Sequence, residues 1–445
     1  MYTHTTWGQA KDQLAARLHD SGKVYFVDAE LALYLTESLR TFQVLTGYWR
    51  ERGVFSTTNT QAFYSLPTVL PALRGYNTIG GDLTTLIEYH LLEPPTPTYW
   101  SGTEQFTLLD VTSAIQRRRD QFLVETGCHL TYHTQISPPP PVSRVPLPDT
   151  TIDIRWVSWM SPDSLHTHLW REDEWAFTTF DTTWNTEPTT PQAYSIATTP
   201  PVSLQLFPIP IDIGTLKILS IQSGAAVSTY TLLGIPDDFS WIVKWGVLSD
   251  LLSKDGPARD EPRAEYCNQR YQQGIMLANL FTTIYAAEVD GVAKRVDPLA
   301  DLDAAIPDWL DATSTPSMVI SAGPSMTAIY PVPDASAHSI TLDVARNTPI
   351  PSSNVAYLQV SREELEAILG YAEHLAMFKV SGAEFKATSH YWDNMIQIAI
   401  NYRNRLSTAV RYHQALISQT HREEQRRPRK QGEQDAEATR VGGAG

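Results

Sequence analysis

Glu125, His129 and His133 recur every four residues. On an unbroken helix that spacing puts all three on one face, as a zinc site needs. Gly127 interrupts the helix, however, and Leu130-Thr131-Tyr132 reads as strand, so convergence is not expected. His166 and His168 alternate in a polar stretch near Asp163 and Glu172 without a second ligand pair, and they read as solvated loop histidines. Asp173, Glu174 and Asp181 lie among Trp170, Trp175 and Trp184. Paired carboxylates are the requirement of glycoside hydrolysis, and tryptophan faces stack on sugars. The plainer reading is an acidic turn beside β-core aromatics, with a Trp-rich carbohydrate-binding protein as the alternative. Asp237-Asp238 could hold Mg²⁺, but Pro-Asp-Asp-Phe ahead of an apolar run is first a capping pattern. Cys128 lacks a neighbouring base and reads as a buried structural thiol. The sequence contains no G-x-S-x-G elbow, P-loop or dinucleotide fingerprint. These readings yield no catalytic residue, no metal ligand and no cofactor.

Cations remain. Arg117, Arg118 and Arg119 are consecutive within a predicted helix over Val111–Thr126. Three consecutive positions span most of a helix circumference, so they cannot share one partner. One is expected to pair internally with a carboxylate, leaving the others to bridge to a neighbouring subunit or touch DNA. Arg422, Arg426 and Arg427 form a second cluster near the C-terminus. The formal charge of −15 argues against a broad grip on nucleic acid, which needs clustered Lys and Arg. Two cysteines cannot make a disulfide framework, no apolar run is long enough to span a membrane, and no signal pattern opens the chain.

The elements that must position these residues are organised around Thr231–Met276. Phe239 to Leu252 predicts a helix apolar on nearly every side, ended by Lys254-Asp255-Gly256-Pro257. A second helix carries Cys267, Tyr271, Gly274, Ala278 and Phe281 on one face. The pattern recurs at Leu365–Phe378 and the long helix after Gly382, with Trp245 answering to Tyr371 and Tyr266 to Trp392. Upstream, SLQLFPIP then TLKILS corresponds to SMTAIYPVP then ITLDV. The fold class is therefore α+β: a helical N-terminal region plus two β-sandwich-like/helix-hairpin modules, as in an internal duplication. The predicted division is 1–136, mainly helical with a hairpin (Val54–Thr57 against Ala62–Leu66); 137–149, a Pro-rich spacer; 150–290, a β module with a helix pair; 291–316, an acidic linker; 317–420, the second such module; and 421–445, a disordered polar tail.

The helix ending in LTGYWRERGVFSTT, the strand ending Tyr64-Ser65-Leu66-Pro67, the start DTTIDIRWVSW, the strand LQLFPIP and the helix opening LGIPDDFSWIVKWGVLSDLL follow one order. That order resembles the head–tail adaptor (connector) proteins of tailed bacteriophages, particularly short-tailed ones, over roughly Val27 to Ala278. The resemblance implies a virion protein made in the host cytoplasm. It implies a ring of copies, commonly twelve, docked beneath the portal protein and above downstream tail or nozzle proteins. DNA would pass through transiently and without sequence specificity, with no membrane involved. The six arginines named above would then be candidate subunit or portal contacts. Another neck or tail component, and an assembly chaperone, are the neighbouring readings.

Overall fold

The computed structural model describes residues 5–91, 105–136, 142–197, 202–334, 337–380 and 382–402. The chain begins with α1 (Trp7–Arg17), α2 (Asp28–Thr46), β1 (Arg50–Ser56), β2 (Phe63–Ser65) and two single turns, α3 (Leu66–Val69) and α4 (Pro71–Arg74). There follow α5 (Gly80–His90), α6 (Leu108–Thr126), β3 (Leu130–Ile136), β4 (Arg144–Pro146), β5 (Thr151–Met160), β6 (His166–Arg171), α7 (Glu174–Phe180), β7 (Ala193–Ala197), β8 (Ser203–Phe207) and β9 (Thr215–Gln222). The helix pair α8 (Ser240–Ser253) and α9 (Glu261–Asn279) comes next. Then come β10 (Ile284–Val289), β11 (Val292–Pro298), α10 (Leu299–Ala305), β12 (Thr313–Ser314), β13 (Met318–Gly323), β14 (Met326–Tyr330), β15 (Val332–Pro333), β16 (Ser339–Ala345), α11 (Arg362–Val380) and α12 (Gly382–Ala387). Residues 390–402 are helical as well. No helix among the described residues is long and apolar enough to cross a membrane.

The fold is α+β, with two seven-stranded sheets that each curl into a half-barrel. One runs β1-β16-β10-β11-β13-β14-β2, the other β3-β9-β5-β6-β7-β8-β4. Strand for strand the plans are the same. All neighbours are antiparallel except one step, β11 with β13 and β6 with β7. Each sheet has a bulge on the equivalent rung, at Tyr285 between Ile284 and Ala286 and at Arg155 between Ile154 and Trp156. Each has a cis-proline directly after the equivalent strand, Pro331 after β14 and Pro208 after β8.

The helices repeat too. α2 and α6 are both 19 residues long, β1 and β3 both seven, and all four keep one displacement along the chain. The junctions read Phe42-Gln-Val-Leu-Thr46-Gly47 and Phe122-Leu-Val-Glu-Thr126-Gly127. In both, the threonine hydroxyl donates to the phenylalanine carbonyl one turn back, and the glycine closes the helix in the left-handed region. The bulged Tyr285 lies over Gly47, and the bulged Arg155 over Gly127. Backbone bridges Thr6·Tyr357 and Ile79·Leu232 tie α1 and α5 to equivalent points upstream of α11 and α8. The chain thus contains one unit twice. Unit 1 combines 5–74 with 284–402, and unit 2, combining 78–147 with 150–280, is nested inside it.

This nesting redraws several predicted boundaries. β1 and β2 do not form a hairpin; they lie on opposite edges of the first sheet, β1 on β16 and β2 on β14. Local alternation marks a strand but carries no information about a partner hundreds of residues away. The region 1–136 supplies strands to both sheets rather than standing apart. The stretch 291–316 is not a linker: it contains β11, α10 and the buried 3₁₀ turn Trp309–Asp311. β4 falls within 137–149, and residues 137–141 of that spacer lie outside the described residues, as does the tail 421–445.

Sheet interiors are separate apolar cores, around Ile329, Leu342 and Val344 in unit 1 and Leu204, Leu216 and Ile218 in unit 2. One continuous core joins the helices of both units. Within it α8 and α9 approach closely at Gly246 and Gly274, where an added Cβ would meet Tyr271 and Ile242 at 2.9 and 2.7 Å.

The junction glycines supply a test. At Gly127 an alanine meets mainly left-handed strain, of about 1 kcal/mol, because the nearest atom is the Arg155 Nε at 3.3 Å. At Gly47 the new methyl also collides with the Tyr285 hydroxyl. In urea unfolding we expect Gly47→Ala to cost clearly more than Gly127→Ala, with Tyr285→Phe recovering part of the difference. Equal losses would contradict the described fit of Tyr285.

Candidate functional site

The three consecutive arginines on α6 separate as helix geometry requires. Thr107 and Asp110 form a capping box that starts this helix, and Gly127 ends it. Arg119 is fully buried and donates to Asp120, the Ser223 hydroxyl and the carbonyls of Gly224 and Ala225, fastening α6 to the exit of β9. Arg118 grips Asp250 of α8 with two nitrogens, at 2.5 and 3.0 Å, and lies over the Tyr271 ring. Arg117 reaches the same carboxylate at 2.5 Å, but its side chain is 62% exposed. Of the three, only Arg117 remains largely exposed. Arg422, Arg426 and Arg427 lie outside the described residues.

The chemically densest region is the contact between the units, and sequence reasoning missed its centre. Lys244 sits inside the apolar helix α8 with no exposed side-chain surface, and Glu37 of α2 accepts from it at 2.6 and 2.7 Å. His90 Nε2 lies 3.1 Å from the same ammonium. Burial pushes the Lys244 amine down and the Glu37 carboxyl up, and their mutual attraction opposes both. Burial first, then the Lys244 charge, holds His90 far below the usual histidine range. A lysine amid nine apolar residues signals a buried counter-charge, but not which carboxylate supplies it. Around this knot Phe378 of α11 packs edge-on against Trp245, at 5.1 Å between ring centroids, and His374 meets the Tyr266 hydroxyl at 2.8 Å.

Asp237 and Asp238 do not cap α8 as predicted. They form a buried 3₁₀ turn ahead of it, and their carboxylates turn away from the start of α8 to other partners. Asp237 accepts from the Asn77 amide groups and from the backbone and hydroxyl of Thr78. Asp238 accepts from Thr348 of unit 1 at 2.5 and 3.1 Å. On the sheet side, Phe63 and Trp309 of unit 1 pack on Tyr132 and Trp156 of unit 2.

The two units use different surfaces for this contact. Unit 1 presents α2, the C-terminal half of α11, Phe63 and the Trp309 turn; unit 2 presents α5, α8, α9, β3 and β5. On α2 and α5, several positions equivalent to the contact are exposed in the other unit. Glu37 and Val44 are 3% and 2% exposed, whereas the corresponding Val124 is 37% exposed and Arg117 is the projecting arginine. Leu86 on α5 is buried, and the corresponding Gln13 on α1 is exposed. The contact is therefore head to tail, not two-fold.

Other sequence candidates are dispersed. Glu125 ends α6, His129 lies in the following loop and His133 on β3, and no three-residue metal-binding group occurs among the described residues. His166 and His168 are not loop histidines: both lie on β6, and His166 pairs with Asp311 of unit 1, a partner supplied by the nesting. Asp173 caps α7 and Asp181 accepts from Thr183, which occupies these two carboxylates locally, while Glu174 opens α7. Burial pushes the Cys128 thiol up to about 12, the behaviour of a structural thiol. Compared with known proteins, the chain matches no family model and no curated protein.

Removing one member of a buried ion pair costs roughly 3–5 kcal/mol, whereas an apolar replacement of both is close to neutral. We expect Glu37→Leu to lose stability on that scale in chemical denaturation and Glu37→Leu/Lys244→Met to regain most of it. A second expectation concerns acid. Burial, then Arg270 and His390, lowers the His374 imidazole to about 3, so below the unfolded value near 6.5 only the unfolded chain takes up this proton. Stability is then lost as pH falls from about 6.5, by about 1.4 kcal/mol per pH unit from this group. His374→Gln should give a shallower melting-temperature profile between pH 6 and 4; an identical slope would contradict the assignment.

Proposed function

We propose that the protein is a structural component of a tailed-phage virion. In this reading it forms an oligomeric ring at the head–tail interface, beneath the portal and above downstream tail or nozzle proteins, lining or supporting the DNA channel. The observation that carries the reading is the head-to-tail packing of two equivalent units within one chain. A heterologous contact of this kind is what generates rings when its rotation closes. The order of helices, strands and Pro-x-Pro bends that resembles connector proteins supports the same role. A net charge of −15 suits a wall past which DNA must slide without sticking, because phosphate grip rises with the number of cations in contact. No bond is made or broken in this role; the chemistry is that of packing and ion pairs.

Mass spectrometry of purified virions, together with cryo-EM of their necks, tests the proposal. We expect the protein in mature particles at ring stoichiometry, between portal and tail. Its absence from mature virions, or its presence only in assembly intermediates, would overturn it.

A further inference from the structure

The parallel step in each sheet requires a crossover, through α10 after β11 and through α7 after β6, and a cleft opens beside each. In unit 1 the cleft has a volume of about 720 Å³ and is lined by Leu299 and Ala300 of α10. In unit 2 it has a volume of about 640 Å³, and the equivalent positions are Glu174 and Trp175. We infer that the cleft of unit 2 binds a neutral oligosaccharide, stacked on Trp175 and held through its hydroxyls by Arg144, Glu172, Glu174 and Ser195. The cleft lies on β4, β7 and β8, away from the strands that meet unit 1, so the inference stands apart from the ring reading.

The first observation is a rung across four strands. In unit 1 it reads Asp297, Ile320, Ala328, Phe63, and the last three belong to the continuous core that joins the units. In unit 2 the same rung runs from Glu172, directly after β6, through Ser195 and Gln205 to Arg144. The Glu172 amide donates to the Tyr194 carbonyl, which carries the strand on to this rung. The neighbours Tyr194, Leu206 and Val145 point into the sheet interior, so the four polar side chains share the outer face. Gln205 is fixed, because its amide donates to the Ser143 hydroxyl and its carbonyl accepts from Arg144 at 3.4 Å. Two other charged groups of the cleft are committed: Arg171 pairs with Asp153 at 3.0 Å, and Asp173 accepts from the Trp175 amide. Arg144, Glu172 and Glu174 have no ion-pair partner among the described residues.

Those three groups set the ligand's chemistry. A guanidinium offers paired donors and a carboxylate paired acceptors, the spacing at which adjacent sugar hydroxyls are met two at a time. The mixture of signs suits a ligand without net charge. A polyanion would meet Glu172 and Glu174, and a polycation would meet Arg144. The second observation is Trp175 itself. Its side chain is 82% exposed and has no ring partner among the described residues. The flanking tryptophans are engaged, Trp184 with Phe207 at 4.6 Å and Trp170 with His168 at 4.9 Å between ring centroids. Phe177 stacks on Phe207 at 5.1 Å and holds α7 to the sheet, so Trp175 stands on a fixed mount. An indole face beside converging polar groups is the combination that takes the C–H face of a sugar ring and its hydroxyls together.

A glycan array carrying neutral, sialylated and sulfated oligosaccharides, probed with the full-length chain, tests this. Calorimetric titration with the best-retained neutral glycan then gives affinities. We expect retention of neutral glycans in preference to the charged ones. Trp175→Ala should weaken binding about tenfold or more, with Trp175→Phe recovering part of the loss. Arg144→Ala and Glu172→Ala should each weaken it about fivefold. All three positions are exposed, so the variants should melt at the parental temperature, which separates lost binding from lost folding. No retained neutral glycan, a preference for sulfated or sialylated glycans, or binding indifferent to Trp175→Ala would overturn the inference. A protein that binds neutral glycans in this way yet is missing from virions would overturn the functional reading alone. One found at the neck that retains no neutral glycan would overturn this inference alone.

Discussion

Lys244 sits where water does not reach it, and the carboxylate that meets its charge comes from the other unit. An isolated buried ammonium costs roughly 3–5 kcal/mol, so each half of this contact is stabilised by the other. That constraint explains much of the arrangement around it. α2 must lie along α8 to deliver Glu37, α5 must end at His90, and Phe378 and Trp245 fill the space that keeps solvent out. Asp238 and Thr348 make the same connection at the edge of the helical core. The units are therefore halves of one body, not beads on a linker.

Nesting follows from the same demand. Unit 1 opens with two helices and two edge strands, is interrupted by all of unit 2, and then completes its sheet. Since β1 and β2 are the outer strands of that sheet, they can wait at its two edges while the intervening residues form a unit of their own. Aspartates and bridges then hold the crossing points: Asp237 on Asn77 and Thr78 where the chain enters unit 2, and Thr6·Tyr357 where unit 1 resumes its helices. The head-to-tail relation of the units is the structural basis for reading the protein as a ring former. A two-fold relation would have consumed both faces and left a closed pair.

Much of this was legible in the sequence, and the exceptions have physical causes. Apolar periodicity and glycine stops located α2, α8, α9 and α11, and the LFPIP and IYPVP bends revealed that strands and helix pairs recur. Each of those signals is local. The hairpin misreading of β1 and β2, and the reading of 291–316 as a linker, arose because edge-strand pairing is decided by partners far along the chain. The acidic stretch 291–316 reads as a linker, yet Leu302 and Trp309 are buried within it, and Trp309 packs against Trp156 of the other unit. The arginine triplet was readable as a set that must divide, since consecutive helical residues point in different directions. Which arginine stays free depended on Asp250 and on the Ser223–Ala225 loop, and neither is visible in local spacing. The repeat at Phe42–Gly47 and Phe122–Gly127 was present in the letters, but it carries weight only once the strands after it are seen to hold equivalent places.

The central claim is that two equivalent units are joined head to tail into one body by a contact centred on the buried Lys244–Glu37 pair. Native-state hydrogen exchange of the full chain under increasing denaturant tests it most directly. The account predicts that the amides of α2 and α8 exchange through one common opening, with the same free energy and denaturant dependence. Amides of one unit exchanging through an opening that leaves the other unit protected would contradict it.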